Sequence, residues 1–224
     1  MNSESEVHSY NPIRKEVTYR FNLPAETMKE HSSIYPAWIS PSTRYLIFKQ
    51  ENNYEAYLWD RTTQRLISID DCFYIAGLFS MSIDEKVLAV PRFDFEREKA
   101  RIFIERLEEP PNNSFYIEDD TYSFESPVLS PDGTMIAFLR TNRGPNTTQE
   151  NFSGVIQVAK IVGNSFTVIK EIDGTGYYSW SPDGKQLAFT SHLTKSLYFV
   201  DIDEGNTASP VLIDEGVELL PLEW

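Results

Sequence analysis

The run Trp180-Ser181-Pro182-Asp183-Gly184-Lys185-Gln186-Leu187-Ala188-Phe189-Thr190-Ser191 joins a large aromatic residue to a turn and then to an apolar strand. Pro182 fixes its own φ. Asp183-Gly184 supplies a side-chain acceptor followed by a residue that tolerates positive φ, which together make a tight hairpin turn. Leu187-Ala188-Phe189 is too short for a helix; an apolar run of that length, bounded by turn signals, reads as a strand buried on both faces. The same outline recurs three times upstream. Ser130-Pro131-Asp132-Gly133 precedes Met135-Ile136-Ala137-Phe138, Ser82-Ile83-Asp84-Glu85 precedes Val87-Leu88-Ala89-Val90, and Ser40-Pro41-Ser42-Thr43 precedes Tyr45-Leu46-Ile47-Phe48. From serine to serine the spacing is 42, 48 and 51 residues. A repeat of about 40–50 residues marks a propeller of four-stranded blades. The residue before each serine is large or apolar: Ile39, Met81, Leu129 and Trp180.

The outer half of each repeat is legible too. Third strands are read at Glu55–Asp60, Arg101–Glu105, Val155–Ala159 and Leu197–Asp201, and fourth strands near Arg65–Ile69, Ser114–Ile117, Phe166–Glu171 and Ser209–Ile213. Asp60 and Asp201 directly follow third strands, where a side-chain acceptor can close the next turn. The expected fold is therefore all-β: a β-propeller of four-stranded antiparallel blades over 15–224, with blades near 34–69, 77–117, 126–171 and 177–213. Partial strands remain at both ends, at 15–23 and 217–224.

The 180–191 run resembles the repeat of TolB-type propellers, which are WD-repeat-like, and Leu129 to Phe138 is similar with Leu in place of Trp. The copy at Ser40 lacks Asp-Gly, and the copy at Ser82 lacks Pro and Gly. The resemblance spans residues 34–224 and concerns the fold. Such repeats occur in periplasmic binding proteins, in gating domains of serine peptidases, in sugar-degrading enzymes and in interaction modules, and the motif carries over no catalytic residues.

Composition narrows the functional classes. A formal charge of −14 on 224 residues argues against nucleic-acid binding, because phosphate contacts need clustered Lys and Arg. It suits solubility, or attraction to a basic peptide or protein surface. No stretch reaches the roughly 18 apolar residues of a membrane span. The first thirty residues lack the apolar core of a signal peptide, so the expected compartment is the cytoplasm. The single cysteine, Cys72, excludes an internal disulfide and reads as a small hydrophobe or a loop thiol. Asn-x-Ser/Thr sequons at Asn112, Asn146 and Asn151 matter only if the chain is exported.

Propeller topology sends two kinds of loop to one face: those joining second to third strands, and those leaving the fourth strand for the next blade. The second kind is acidic in every copy, with Asp70-Asp71, Glu118-Asp119-Asp120, Asp173 and Asp214-Glu215. The two longest second-to-third connections, Arg92–Lys99 and Asn142–Phe152, join them there. Loops carry function more often than the scaffold does. The candidate partner-binding residues are thus Asp70, Asp71, Phe73, Tyr74, Phe93, Phe95, Arg97, Asp119, Asp120, Tyr122, Arg143, Phe152, Tyr177, Asp214 and Glu215, with some of the aromatics expected to plug between blades.

Catalytic patterns are nearly absent. His8, His31 and His192 have no metal-ligand spacing, and no Gly-x-Ser-x-Gly elbow occurs. Gly174-Thr175-Gly176 has no following helix or Lys-Ser/Thr to make a phosphate cradle. Asp201–Asn206 lacks the spacing and closing glutamate of an EF-hand. No metal, cofactor or catalytic residue is assigned.

The ends carry fragments of the repeat. Val17, Tyr19, Phe21 and Leu23 alternate as a half-exposed strand does, and residues 1–14 read as a mobile tail. Leu219–Trp224 looks like the opening of another repeat, with Trp224 in the position of Trp180. Three arrangements satisfy these strays: closure within one chain, a twofold dimer in which each copy completes the other, or a chain that is a fragment of a longer propeller with further blades, which is the expectation; a homodimer or a complementing polypeptide that completes the propeller is the partner this allows. The function expected is a non-catalytic interaction or sensing module that takes a basic or aromatic-anchored protein or peptide on the loop face. The competing reading is a propeller domain of a hydrolase or polysaccharide lyase.

Overall fold

The computed structural model describes residues 6–11, 16–22, 34–50, 56–69, 79–94, 96–107, 114–142, 153–174, 176–191, 194–202 and 209–215. Every regular element among them is a strand. The chain divides into two units, Met1–Cys72 and Phe73–Trp224.

In the first unit, β1 (Glu6–Asn11) and β2 (Glu16–Asn22) form an antiparallel hairpin with an irregularity between Ser9 and Tyr10. This corrects the expectation of a tail over 1–14 beside a lone strand: the alternating strand at 16–22 finds its partner immediately upstream, in a stretch too polar to stand out. The next four strands are β3 (Ile34–Ile39), β4 (Tyr45–Gln50), β5 (Ala56–Asp60) and β6 (Arg65–Ile69), one antiparallel meander. Leu46, Phe48 and Trp59 form its core, and Phe48 stacks on Tyr57 with ring centroids 5.6 Å apart. Asp60 closes the β5–β6 turn by accepting the Thr62 N–H at 2.9 Å. It is also gripped by Arg44, whose Nε and Nη2 donate to its two oxygens at 3.1 and 2.8 Å. Burial works against the charge of this carboxylate, but Arg44 and the turn N–H groups outweigh it and hold its pKa below the usual range.

The second unit holds three more four-stranded antiparallel meanders. The first is β7 (Ser80–Met81), β8 (Val87–Asp94), β9 (Lys99–Arg106) and β10 (Phe115–Ile117). The second is β11 (Ser123–Leu129), β12 (Met135–Thr141), β13 (Gly154–Val162) and β14 (Ser165–Asp173). The third is β15 (Tyr178–Trp180), β16 (Gln186–Ser191), β17 (Ser196–Asp201) and β18 (Val211–Glu215). The expected strand at 217–224 lies outside the described residues.

The repeated turn has one constant part, the serine. Ser40, Ser82, Ser130 and Ser181 accept, on Oγ, the N–H of the first residue of the next strand, at 2.9–3.1 Å. Each serine carbonyl also accepts the N–H of the residue three places on, Thr43, Glu85, Gly133 or Gly184, at 2.8–2.9 Å. That fourth residue has positive φ in all four copies, 64°, 58°, 69° and 69°. The copies without glycine therefore keep the geometry and accept the left-handed strain at Thr43 and Glu85. Where Asp is present its carboxylate accepts the serine hydroxyl at 2.7 Å, as in Ser181–Asp183 and Ser130–Asp132. The Ser181 hydroxyl is the main reason the Asp183 pKa is lowered.

The second strand of each meander is buried on both faces, as at Tyr45–Phe48, Val87–Val90, Ile136–Phe138 and Leu187–Phe189. Within the second unit the sheets stack through two apolar layers. Val87, Ile102, Ile104 and Ile117 meet Phe124, Leu129, Ile136 and Phe138. On the far side of that middle sheet, Ala137, Ile156, Val158 and Ile172 meet Tyr178, Trp180, Leu187, Phe189 and Val200. Polar links cross the same layers: the Leu129 N–H donates to Ser80 Oγ at 2.8 Å, and Trp180 Nε1–H donates to the Val128 carbonyl at 2.9 Å. The turns stack as well. The Ile83 N–H donates to the Pro131 carbonyl at 2.8 Å, and a Cβ on Gly133 would lie 3.0 Å from Ser82 Cβ.

Lys170 departs from this pattern. It lies in β14 opposite Val158, on the face that carries Ile172, and is 3% exposed. Its Nζ is buried and, among the described residues, has no hydrogen-bond partner. A buried amine without a partner is costly, and an apolar side chain of similar length removes that cost. Lys170→Met is expected to stabilise the chain by about 1–2 kcal/mol, raising Tm by about 2–8 °C for a protein of this size. Differential scanning calorimetry checks it; an unchanged or lower Tm would show that the Lys170 amine is compensated.

Candidate partner-binding face

Antiparallel register carries several segments of the second unit to one end of its sheets. These are the β8–β9 turn after Asp94, the connection from β10 to β11, the ends of β12 and β14, and Glu215 at the end of β18. The Ala100 N–H donates to Ser123 Oγ at 3.2 Å and ties the first two sheets together there.

The strands run further toward this end than the sequence suggests. β8 continues to Asp94 and β9 begins at Lys99, so the long connection expected over Arg92–Lys99 is a turn, and Phe93 is a half-buried strand residue opposite Ala100. Asp173, Asp214 and Glu215, expected in loops, lie in β14 and β18. Polar side chains are compatible with a strand whose faces are open at a sheet's solvent end, and composition alone reads them as loop.

The acidic segment after β10 is not an unpaired acidic patch. Arg97, half-exposed at the hairpin, lies 3.6 Å from both Glu118 and Asp120 and 3.8 Å from Asp94. Arg101 reaches Asp94 at 3.5 Å and Glu118 at 3.3 Å. Two guanidinium groups therefore answer three carboxylates. Asp94 also caps its own turn, accepting the N–H groups of Glu96 and Arg97 at 3.0 and 3.1 Å. The Arg97 N–H is the largest reason its pKa is lowered. Asp119 is used the same way, accepting the Thr121 N–H at 2.6 Å and the Tyr122 N–H at 3.2 Å, with Thr121 as the main cause of its lowered pKa. Exposed ion pairs of this kind are worth about 0–1 kcal/mol each, so their chief effect is to fix where charge is presented.

Tyr122 is a plug. It packs against the core between the first two sheets, and Arg140 Cζ lies 4.7 Å from its ring centroid. Arg140 in turn pairs with Glu171 at 3.2 Å, and Glu171 accepts Gln157 Nε2–H at 2.6 Å. Tyr177 is exposed, while its backbone is clamped to β16: its N–H donates to Thr190 Oγ1 at 3.0 Å and its carbonyl accepts the Thr190 N–H at 2.8 Å. Asp70, Asp71, Phe73, Tyr74, Phe95, Arg143 and Phe152 lie outside the described residues.

Sequence reasoning missed a second constellation, on the face of the β7–β10 sheet opposite its apolar layer. Arg92 Nη1–H donates to Tyr116 Oη at 2.7 Å, and its Cζ sits 4.0 Å from the Phe103 ring centroid. Arg101 Cζ lies 4.1 Å from the Tyr116 centroid, and the two rings are 5.1 Å apart. Stacked guanidinium groups of this kind gain cation–π attraction while keeping their alkyl stems dry. The signal was present in the alternation of β9, where Arg101 and Phe103 interleave with Ala100, Ile102 and Ile104. Among the described residues, no group of three or more His, Cys, Asp or Glu side chains is placed to hold a metal ion.

No protein-family model matches the chain, and no curated protein sequence matches it. Solved structures do. The Atg21 protein in the complex of KlAtg21 with the coiled-coil of AgAtg16 is 14% identical, with a TM-score of 0.56 over 95% of this chain and 64% of that one. Hsv2 of Kluyvelomyces marxianus is 16% identical, with a TM-score of 0.53 over 90% of this chain and 58% of that one. The tricorn protease is 13% identical, with a TM-score of 0.59 over 89% of this chain and 23% of that one. This chain thus spans less than two thirds of the length of each. At such identities the likeness speaks to fold alone. Together with four antiparallel four-stranded sheets, it makes the architecture that of a β-propeller.

Proposed function

We propose that this chain is a non-catalytic propeller of the TolB-like kind that serves as a protein-interaction module, taking a basic, aromatic-bearing peptide or protein segment on the loop end of its second unit. The observation that carries the reading is the Arg97 hub. Turn caps and ion pairs hold Asp94, Glu118, Asp119 and Asp120 in place, and the excess charge, on Asp119 and Asp120, faces solvent. Preorganised carboxylates of this kind steer and orient a basic partner more than they add raw affinity. The exposed Tyr177 ring offers the amphipathic contact favoured at interface hot spots. A propeller partnered with a coiled coil, as in the Atg21 complex, is a precedent for the class.

Selection of a random peptide library displayed on phage against the purified chain tests the reading. Enriched peptides are expected to combine Lys or Arg with Trp, Tyr or Phe and to bind saturably. Asp119→Lys/Asp120→Lys is expected to weaken them about tenfold or more. Asp201→Lys/Asn164→Lys, at the opposite end of the sheets, should leave binding unchanged. No enrichment, or equal loss from both double variants, overturns the assignment of the face.

A further inference from the structure

We infer that the outer edge of β18 takes up an extended basic and apolar segment of a partner protein as an added strand. β18 is the last strand of its sheet among the described residues, paired on one side with β17. A strand in that position presents a row of backbone N–H and C=O groups, a template for another strand. Three observations separate β18 from the other outer strands of the second unit.

The first is exposure on both faces. All five residues of β18 are exposed, with Val211 at 60%, Leu212 at 45% and Ile213 at 49%. The other outer strands are anchored: β10 buries Ile117, and β14 buries Lys170 and Ile172. Three consecutive aliphatic side chains in water on a sheet edge lack a folding explanation, and contiguous apolar exposure of this kind marks an interaction site. The second is the start of the strand. Pro210 immediately precedes it and has no N–H to offer, which limits the template to residues 211–215.

The third is charge. The template ends in Asp214 and Glu215, and the whole chain carries −14. Pairing with a second copy of this chain would bring together two strongly acidic molecules, whereas a segment carrying Lys or Arg beside alternating aliphatic residues is complementary to both the charge and the apolar surface. Main-chain hydrogen bonds would supply the affinity and the alternate side chains the selection, the mode known as β-augmentation. The bulge at Ile213, where the pairing with β17 shifts between Leu197 and Tyr198, sets the register in which a partner can enter.

This inference rests on reading the chain as an interaction module; the β18 edge reaches the loop end at Glu215, but the two readings are probed at different residues, Asp119 and Asp120 there and Asp214 and Glu215 here, so they can fail separately. The probe is an acetylated, amidated heptapeptide alternating Lys with Val and Ile, titrated against the full chain by fluorescence anisotropy. Two N-methylated forms accompany it, one modified at the even positions and one at the odd. Because successive strand N–H groups point to opposite edges, one form is expected to lose binding and the other to keep it. Asp214→Lys/Glu215→Lys should weaken the parent peptide about tenfold or more, whereas Asp119→Lys/Asp120→Lys at the loop end should leave it unchanged. A heptapeptide with Glu in place of Lys should not bind. The inference is overturned by absence of saturable binding, by equal behaviour of the two N-methylated forms, or by indifference to charge reversal. Concentration-dependent dimerisation of the chain that Leu212→Lys abolishes would overturn it in favour of self-pairing.

Discussion

Gly176→Ala is expected to destabilise the chain by about 3–5 kcal/mol, the sum of an overpacking cost and two broken hydrogen bonds. A Cβ on Gly176 would lie 1.8 Å from the Thr190 carbonyl oxygen, 2.5 Å from its Oγ1 and 2.6 Å from its carbonyl carbon. No rotamer relieves this, because the obstacle is backbone. Thr190 cannot retreat: it is 1% exposed and sits inside β16, the strand buried on both faces. Residues 176 and 177 must therefore move outward, and the double clamp between Tyr177 and Thr190 opens. For a chain of this size the loss corresponds to a fall in Tm of about 6–20 °C.

Gly174→Ala, two residues away in the same connection, is the internal control. Its Cβ would meet the Phe189 ring at 3.4 Å, ordinary contact, so the expected cost is within about 1 kcal/mol. Urea unfolding of the two variants checks the pair. Similar stability for both would mean that the Tyr177–Thr190 clamp is not what holds the start of the last sheet. The same variant speaks to function, since Tyr177 is a proposed contact and would be displaced with its backbone.

The fold was readable because the repeat is marked at a backbone necessity. Every turn needs a side-chain oxygen to receive the N–H that opens the next strand, and Ser40, Ser82, Ser130 and Ser181 all supply it. Pro, Asp and Gly improve the turn without defining it. Hence the degenerate copies at Thr43 and Glu85 still adopt positive φ, and counting from serine to serine located all four sheets.

Other features were hidden for physical reasons. The sequence suggests a tail plus a stray strand where the hairpin of β1 and β2 lies, because Glu6–Asn11 has no apolar alternation strong enough to stand out. Charged residues at the ends of β8 and β9 carry the composition of a loop, since strand pairing depends on a neighbour and not on composition. The Arg97 hub could not be seen at all. Its members come from the end of β8, from the β8–β9 turn, from β9 and from the segment after β10, and only the antiparallel register brings them within 4 Å. The acidic run was legible as acidic, but its partial neutralisation was not. That difference changes the partner expected, from any basic surface to one that fits a fixed pattern of charge around Arg97.

Trp180→Ala is expected to cost about 3–5 kcal/mol, the range for removing a buried aromatic side chain from a core. Trp180 is 5% exposed and joins the layer between the last two sheets, against residues such as Ile156, Val158 and Leu187. Its indole also donates to the Val128 carbonyl in β11, so truncation leaves both a cavity and a half-buried acceptor without that donor. Trp180→Phe separates the two effects. It retains most of the apolar contact and loses the hydrogen bond, for an expected cost of about 1–2 kcal/mol. A second link runs alongside: Tyr178, a phenol whose pKa burial pushes far up, donates its hydroxyl to the Ser126 carbonyl at the irregular point of β11. Both donors bridge β15 to β11, so their losses should not add. Tyr178→Phe/Trp180→Phe is expected to differ from the sum of the single changes by about 0.5 kcal/mol or more, measured by urea unfolding of the four proteins. Strict additivity would mean that each side chain only fills space. Coupling would mean that the recurring outline of the repeat, with its large residue before the serine, has here become a bolt between sheets, which Leu129 in the preceding copy achieves instead through its backbone N–H to Ser80.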